Sequence, residues 1–295
     1  MSLQSRWAER KFGTHQYEPE AGCQILLNMI ISVSKNDLSF RVEYEEGEPA
    51  ETFWKEAYHD WEPGTFKVFD KYANPNGVVI DIGCWIGPTA LYLAQKSRRV
   101  IAVESNRQAN ATLSRNVALN SLEPKFELIE KAIYSDNSGV RFGTNPFRPS
   151  EGLMHSTCQI LPDDTPGNDQ TYLAPTITWA EITSHLRPGE SVSLIKMDIE
   201  GGEQFVIRDV LQWAYDHYVP AYISFHVDWW IDKDLNRLTD LFALYGDADA
   251  RIASIQASPF KSILFKRQKP KPEPKKTLGR RIKSFFKSVT SASAR

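Results

Sequence analysis

Ten residues limit the fold more than any others in the chain: Val78-Val-Ile-Asp-Ile-Gly-Cys-Trp-Ile-Gly87. Val78–Ile82 is apolar except for Asp81 and is bracketed by glycines, so it reads as a short buried strand rather than a helix. Gly83 and Gly87 allow close backbone approach at the turn. The run PTALYLAQK then predicts a helix, with Pro88 at its start where a missing N–H costs nothing. A buried strand passing through a glycine turn into a helix is half of a parallel strand–helix–strand unit.

The rest of the chain repeats that rhythm. RRVIAVE and FELIEKAI read as the second and third strands, with RQANATLSRNVALN as the helix between them. TWAEITSHL and GEQFVIRDVLQWAYDHY read as helices around the apolar strand SVSLIKMDIE, and PAYISFHV as a fifth strand. A helix is expected near Leu235–Tyr245. ARIASIQ and SILFKR are expected to close the sheet as an antiparallel hairpin. The predicted fold is α/β: a doubly wound, mostly parallel, seven-stranded Rossmann-like sheet with an antiparallel C-terminal hairpin.

Three segments follow. Residues 1–75 form a preamble with a helix over Pro19–Ile31, a strand over Leu38–Tyr44 and the aromatic helical stretch ETFWKEAYHDW, closed by the turn Asn74-Pro75-Asn76-Gly77. Residues 76–267 form the sheet domain, and residues 268–295 a basic linker and tail. Within the sheet domain, residues 143–175 hold five prolines and no periodicity, which predicts a surface loop over the carboxyl edge of the sheet.

Charge is unevenly spread. The whole chain is −2, but Lys266–Arg295 holds eleven Lys/Arg against the single acid Glu273, so the tail is +10 and the body −12. An acidic body is a poor receptor for a polyphosphate, and no nucleic-acid partner is expected. In the tail, Leu278, Ile282, Phe285, Phe286 and Val289 fall on one helical face flanked by Arg and Lys, the pattern of a helix lying on an anionic membrane surface (residues 278–289). Cys23, Cys84 and Cys158 show no C-x-x-C spacing, so neither a disulfide framework nor a zinc site is expected. With no apolar leader and no run long enough to span a bilayer, the expectation is a cytoplasmic protein, peripheral at the inner face of a membrane if the tail docks there.

The glycine spacing chooses between ligands. A dinucleotide turn is G-x-G-x-x-G, whereas this chain carries D-x-G-x-x-x-G, which argues against a nicotinamide oxidoreductase. Asp81 ends the first strand, and Glu104 ends the second about 20 residues beyond the turn, where an acid can take ribose hydroxyls. Lys131 and Ala132, after the third strand, are placed beside a nucleobase. Asp198 and Glu200 follow the fourth strand in LIKMDIEGGEQFVI and border the same edge, and Glu62 and Thr65 in WEPGTF are candidates for crossing its mouth.

VVIDIGCWIG, the acid of VIAVES and LIKMDIEGGEQFVI together resemble the FkbM family of methyltransferases, over roughly Trp61 to Val227. Asp81, Gly83, Gly87, Glu104 and Asp198 are the matching positions, while Cys84 departs from the small residue expected after Gly83. The resemblance implies a class I methyltransferase fold, S-adenosylmethionine as donor, and a hydroxyl of a sugar, glycan or natural-product-like acceptor. Catalysis then means aligning the acceptor oxygen with the methyl group and removing its proton. His226, ending the fifth strand, is the first candidate base and Glu200 the second, with Asp198 beside them. Asp198, Glu200, His226 and Asp228 are also metal-ligating types, but no motif spacing joins them and no metal is expected. A non-catalytic scaffold that kept the fold is the competing function, and the oligomeric state is open.

Overall fold

A computed structural model describes residues 28–144, 158–162, 165–167, 171–258 and 260–267. The first elements are β1 (Asn28–Lys35) and β2 (Leu38–Glu45), an antiparallel hairpin whose register pairs Lys35 with Leu38 across the two-residue turn Asn36-Asp37. Asn28–Ile31 is therefore strand, not the end of a helix; the rest of that expected helix lies outside the described residues. The short α1 (Pro49–Thr52) widens into a π-helical turn, Phe53–Ala57, and α2 (Pro63–Tyr72) follows.

Here the aromatic run does its work. Phe53, Tyr58, Trp61, Phe66 and Tyr92 meet mostly edge to face, each pair worth about 0.5–1.5 kcal/mol beyond burial. The Lys35 ammonium closes the turn, donating to the carbonyls of Tyr58, His59 and Trp61 at 3.0, 2.8 and 2.5 Å while lying over the Phe66 ring. This fixes where the next residue, Glu62, leaves the turn.

The central unit runs β3 (Val78–Ile82), α3 (Ala90–Lys96), β4 (Arg99–Val103), α4 (Arg107–Leu119) and β5 (Phe126–Ile129). The α3 helix starts two residues after Pro88. Asn106 caps α4 by accepting from the amides of Gln108 and Ala109. FELIEKAI does not continue as one strand: it breaks after Ile129, and β6 (Ala132–Ile133) pairs elsewhere. Next come β7 (Val140–Gly143), β8 (Gln159–Ile160), β9 (Tyr172–Ala174) and β10 (Thr176–Ile177). Strands β7, β8 and β9 form a small antiparallel sheet, so the region read as a loop holds strand at β8, near its middle, and at β9, near its end.

After it come α5 (Trp179–Ser184), started by a Thr178–Glu181 capping box, β11 (Val192–Met197), α6 (Glu203–Asp216) and β12 (Ala221–His226). Last are α7 (Thr239–Ala243), α8 (Ala248–Gln256) and β13 (Phe260–Phe265). ARIASIQ is thus helix. Asp247 caps α8 through the Ala250 amide, and Ala248, Ile252 and Ile255 are buried at helical spacing.

The main sheet has six strands among the described residues, in the order β13-β12-β11-β3-β4-β5, all parallel except β13, which runs antiparallel to β12. The C-terminal antiparallel pair is present, built without a hairpin partner from ARIASIQ. The fold is the doubly wound α/β class, with the order reversing between β3 and β11. Ligands in such sheets bind outside the carboxyl ends at that switch point. One apolar cluster joins the β1–β2 hairpin, the aromatic turn and one face of the sheet; a second covers the other face with α5, α6, α7 and α8. Among the described residues no helix is long and apolar enough to cross a membrane.

Candidate functional site

At the switch point β3 and β11 deliver Asp81 and Lys196 side by side. Asp81 is wholly buried: its Oδ2 accepts from Thr89 at 2.8 Å, and Lys196 Nζ lies 3.2 Å from Oδ1. That second approach is close enough for an ion pair but off the angle for a hydrogen bond, leaving Oδ1 an otherwise unsatisfied acceptor. Burial raises the carboxyl of Asp81, and Lys196 and Thr89 pull against it. Lys196 also donates to the Gly83 carbonyl at 2.6 Å, so its ammonium ties the fourth strand to the glycine turn.

The two glycines serve the chain's own packing. Gly83 has φ +79, and a Cβ there would lie 1.8 Å from the Asp198 carbonyl oxygen; at Gly87, with φ +103, it would lie 2.8 Å from a Leu113 methyl. Cys84 is buried, with its thiol on the Asp81 carbonyl at 2.9 Å. Glu104, 8% exposed, accepts from the amides of Trp85 and Asn106, each at 2.7 Å, which clamps the turn to the end of β4. Burial raises its carboxyl and the two amides oppose that.

Asp198, Glu200 and His226 converge beside this corner. His226 is 8% exposed; its Nε2 lies 3.5 Å from Asp198 Oδ1 and 3.4 Å from Glu200 Oε2, and its Nδ1 lies 2.9 Å from Glu203 Oε1. Glu203 is fully buried and accepts further from the Ile199 amide at 3.2 Å and from Trp230 Nε1 at 3.1 Å. Burial works against a charged imidazole, yet Glu200, Glu203 and Asp198 outweigh it and raise His226 to about 10. Glu200 is pushed to about 8 by burial first, then by Asp198 and Glu203, with His226 opposing. Asp228, on the 3-10 turn after β12, is exposed and stands outside this cluster.

Glu62 and Thr65 join from α2. Glu62, left-handed at φ +44, accepts from Thr65 Oγ1 at 2.9 Å, and that hydroxyl also meets the Tyr222 hydroxyl of β12 at 3.1 Å. Burial, then the charge of Asp198, raises Glu62 to about 7. Lys131 and Ala132 follow the carboxyl end of β5. Lys131 lines a broad surface depression with Arg107, Asn137, Thr176 and Glu181, and Ala132 packs with Val140, Phe142, Ala174 and Cys158. The Cys158 sulfur accepts from Asn106 Nδ2 at 3.3 Å, and its thiol is raised by burial and then by the charges of Glu104 and Glu200. Cys158 thus stands beside Asn106 at the carboxyl end of β4.

Lys196, Glu203 and Tyr222 are the site residues that sequence reasoning missed. For Lys196 a signal existed: in the strand read over SVSLIKMDIE, Lys196 and Asp198 stand two apart and so share a face.

No family model matches the chain, and no curated protein matches it. Solved structures do. A methyltransferase FkbM from Methylobacillus flagellatus KT aligns at 16% identity and TM-score 0.37, covering 58% of this chain and 38% of that one. An rRNA methylase from Streptococcus thermophilus aligns at 14% identity and TM-score 0.39, covering 70% and 95%. The T. thermophilus 16S rRNA N2 G1207 methyltransferase RsmC, in complex with AdoMet and guanosine, aligns at 10% identity and TM-score 0.40, covering 85% and 53%. This chain therefore spans less than two fifths of the FkbM chain it matches.

Proposed function

We propose that this chain is an S-adenosylmethionine-dependent methyltransferase acting on a hydroxyl of a sugar, glycan or natural-product-like acceptor. The observation that carries the reading is the sign of the switch point. Glu62, Glu104, Asp198 and Glu200 gather there and outnumber the cations Lys196 and His226, so the edge is short of positive charge, while burial first, and then the charge of Asp198, raises Glu62 and Glu200 to about 7 and about 8. A donor bearing a sulfonium and an ammonium answers that shortage; the pyrophosphate of a dinucleotide would be repelled.

The residues fit such a donor. Glu104 is held by two backbone amides and keeps lone pairs for ribose hydroxyls, and Glu62 with Thr65 stands ready for the methionine end. When bound, the donor supplies a methyl group already activated as an electrophile. Asp198, Glu200 and His226 face the acceptor. At about 10, His226 keeps its proton at neutral pH, so the first candidate base is unsuited to that task and the carboxylates are left to draw the acceptor's proton.

The test is calorimetric titration of the full chain with S-adenosylmethionine and S-adenosylhomocysteine. Micromolar binding is expected, weakened at least about tenfold in Glu104→Gln by loss of charge-assisted hydrogen bonds. No binding by a folded wild-type chain overturns the reading in favour of a non-catalytic scaffold, for which the internal duties of Gly83 and Gly87 are the supporting observation. The basic tail lies outside the described residues. Its docking on an anionic membrane is part of the proposal and is checked by vesicle flotation of the full chain against a chain ending at Lys266.

A further inference from the structure

The geometry points to a divalent transition-metal site formed by Asp198, Glu200 and His226. One oxygen of each carboxylate and one imidazole nitrogen lie within 4.8 Å of one another. The separations from Nε2, 3.5 and 3.4 Å, are long for hydrogen bonds. They match an edge of a coordination shell: two ligands each ~2.1 Å from an ion, at a tetrahedral angle, lie roughly 3.4 Å apart.

Two atoms in the cluster face each other without a hydrogen bond. Glu200 Oε2 is buried with no hydrogen-bond partner. His226, with a side chain only 10% exposed, turns Nε2 into the same space and makes no hydrogen bond through it. The opposite nitrogen is committed to Glu203, which the Ile199 amide and Trp230 hold in place. A carboxylate behind the imidazole fixes the orientation of a ligating histidine, and the ion takes the Nε2 position by displacing the proton that the metal-free cluster keeps there. The neighbouring cation, Lys196, is tethered to Asp81 and the Gly83 carbonyl and does not fill the space. Two carboxylates with one imidazole suit Mn²⁺ or Zn²⁺ better than Ca²⁺, which takes six to eight oxygens.

The inference rests on the methyltransferase reading only for its role. There the ion sits at the acceptor end, keeps positions open for acceptor oxygens and makes the hydroxyl more acidic, so that Asp198 and Glu200, the bases of the metal-free site, serve as its ligands and the proton passes to solvent.

Full-length protein stripped by a chelator, with no donor present, is titrated with Mn²⁺ while the free ion is followed by electron paramagnetic resonance, and in parallel with Zn²⁺ by calorimetry. One ion per chain is expected. Asp198→Asn and Glu200→Gln should each weaken binding at least about tenfold, and Glu203→Gln, which positions His226 without touching the ion, by about 10- to 100-fold. Circular dichroism checks that each variant is folded. Failure of the folded wild-type chain to bind either ion, or unchanged affinity in the Asp198→Asn/Glu200→Gln double variant, overturns the site. Donor binding without metal binding removes this inference alone, and metal binding without donor binding removes only the methyltransferase reading.

Discussion

The amino and carboxyl ends of the same sheet hold their charges in opposite condition. At the amino end Arg99, 2% exposed, meets Glu190 through two parallel hydrogen bonds of 3.1 and 2.7 Å and adds the His185 carbonyl at 2.7 Å and Glu127 at 3.4 Å. The Arg99 hydrogen bond holds Glu190 below its ordinary value. At the carboxyl end burial pushes Glu62 and Glu200 up, and the His226 imidazole stands 3.4 Å from Glu200 without a hydrogen bond to it. Acids that stabilise the fold are depressed; acids whose ionisation the fold opposes are elevated. The second condition marks residues kept for something other than stability.

Breaking the satisfied end should have the largest effect. Arg99→Met strands the buried Glu190 carboxylate and should cost about 3–5 kcal/mol in urea denaturation. A loss below about 1 kcal/mol would erase the contrast between the ends.

The pH dependence should sharpen it. Glu190, depressed, contributes stability that is present above its ordinary value of 4.5 and lost as pH falls below it. The carboxyl end runs the other way. His226 is raised from 6.5 to about 10, and Glu200 from 4.5 to about 8, so their contributions are complete below the lower values and drain away as pH rises to the upper ones. Melting temperature should therefore fall from pH 6.5 to 10. Glu200→Gln should flatten the part of the curve between 4.5 and 8 and gain about 1 kcal/mol or more at pH 9, read from denaturation curves at both pH values. The smallest effect is expected at the rim: Glu127 is 35% exposed, and Glu127→Gln should change stability by less than about 1 kcal/mol.

Much of this architecture was legible. Val78–Ile82, Arg99–Val103, Val192–Met197 and Ala221–His226 are apolar runs of strand length, and each lies where the pattern put it. Other signals were present but outweighed. Asn36-Asp37 between two alternating runs is a two-residue hairpin turn, and Asp247 before Ala248, Ile252 and Ile255 is a capped helix; β-branched content in ARIASIQ pulled the reading towards strand. In the site, strand ends could be read because period and spacing are local. The pairing of His226 with Glu203 spans 23 residues, and the arrival of Glu62 depends on an aromatic turn held by Lys35, so neither follows from local pattern. The end of the third strand was not legible: it breaks after Ile129, and Ala132-Ile133 pairs with Thr176-Ile177, a partner more than forty residues away.

The contact between Gly83 and Asp198 has one more consequence. With the Asp198 carbonyl oxygen 1.8 Å from where a Cβ of Gly83 would stand, the glycine turn and the exit of the fourth strand share one boundary. Anything that displaces the turn must press on the peptide carrying Asp198, and anything that draws Asp198 inward must be felt at the turn. In the language of linked equilibria, occupancy at one side of that boundary carries a coupling free energy to the other, equal in both directions.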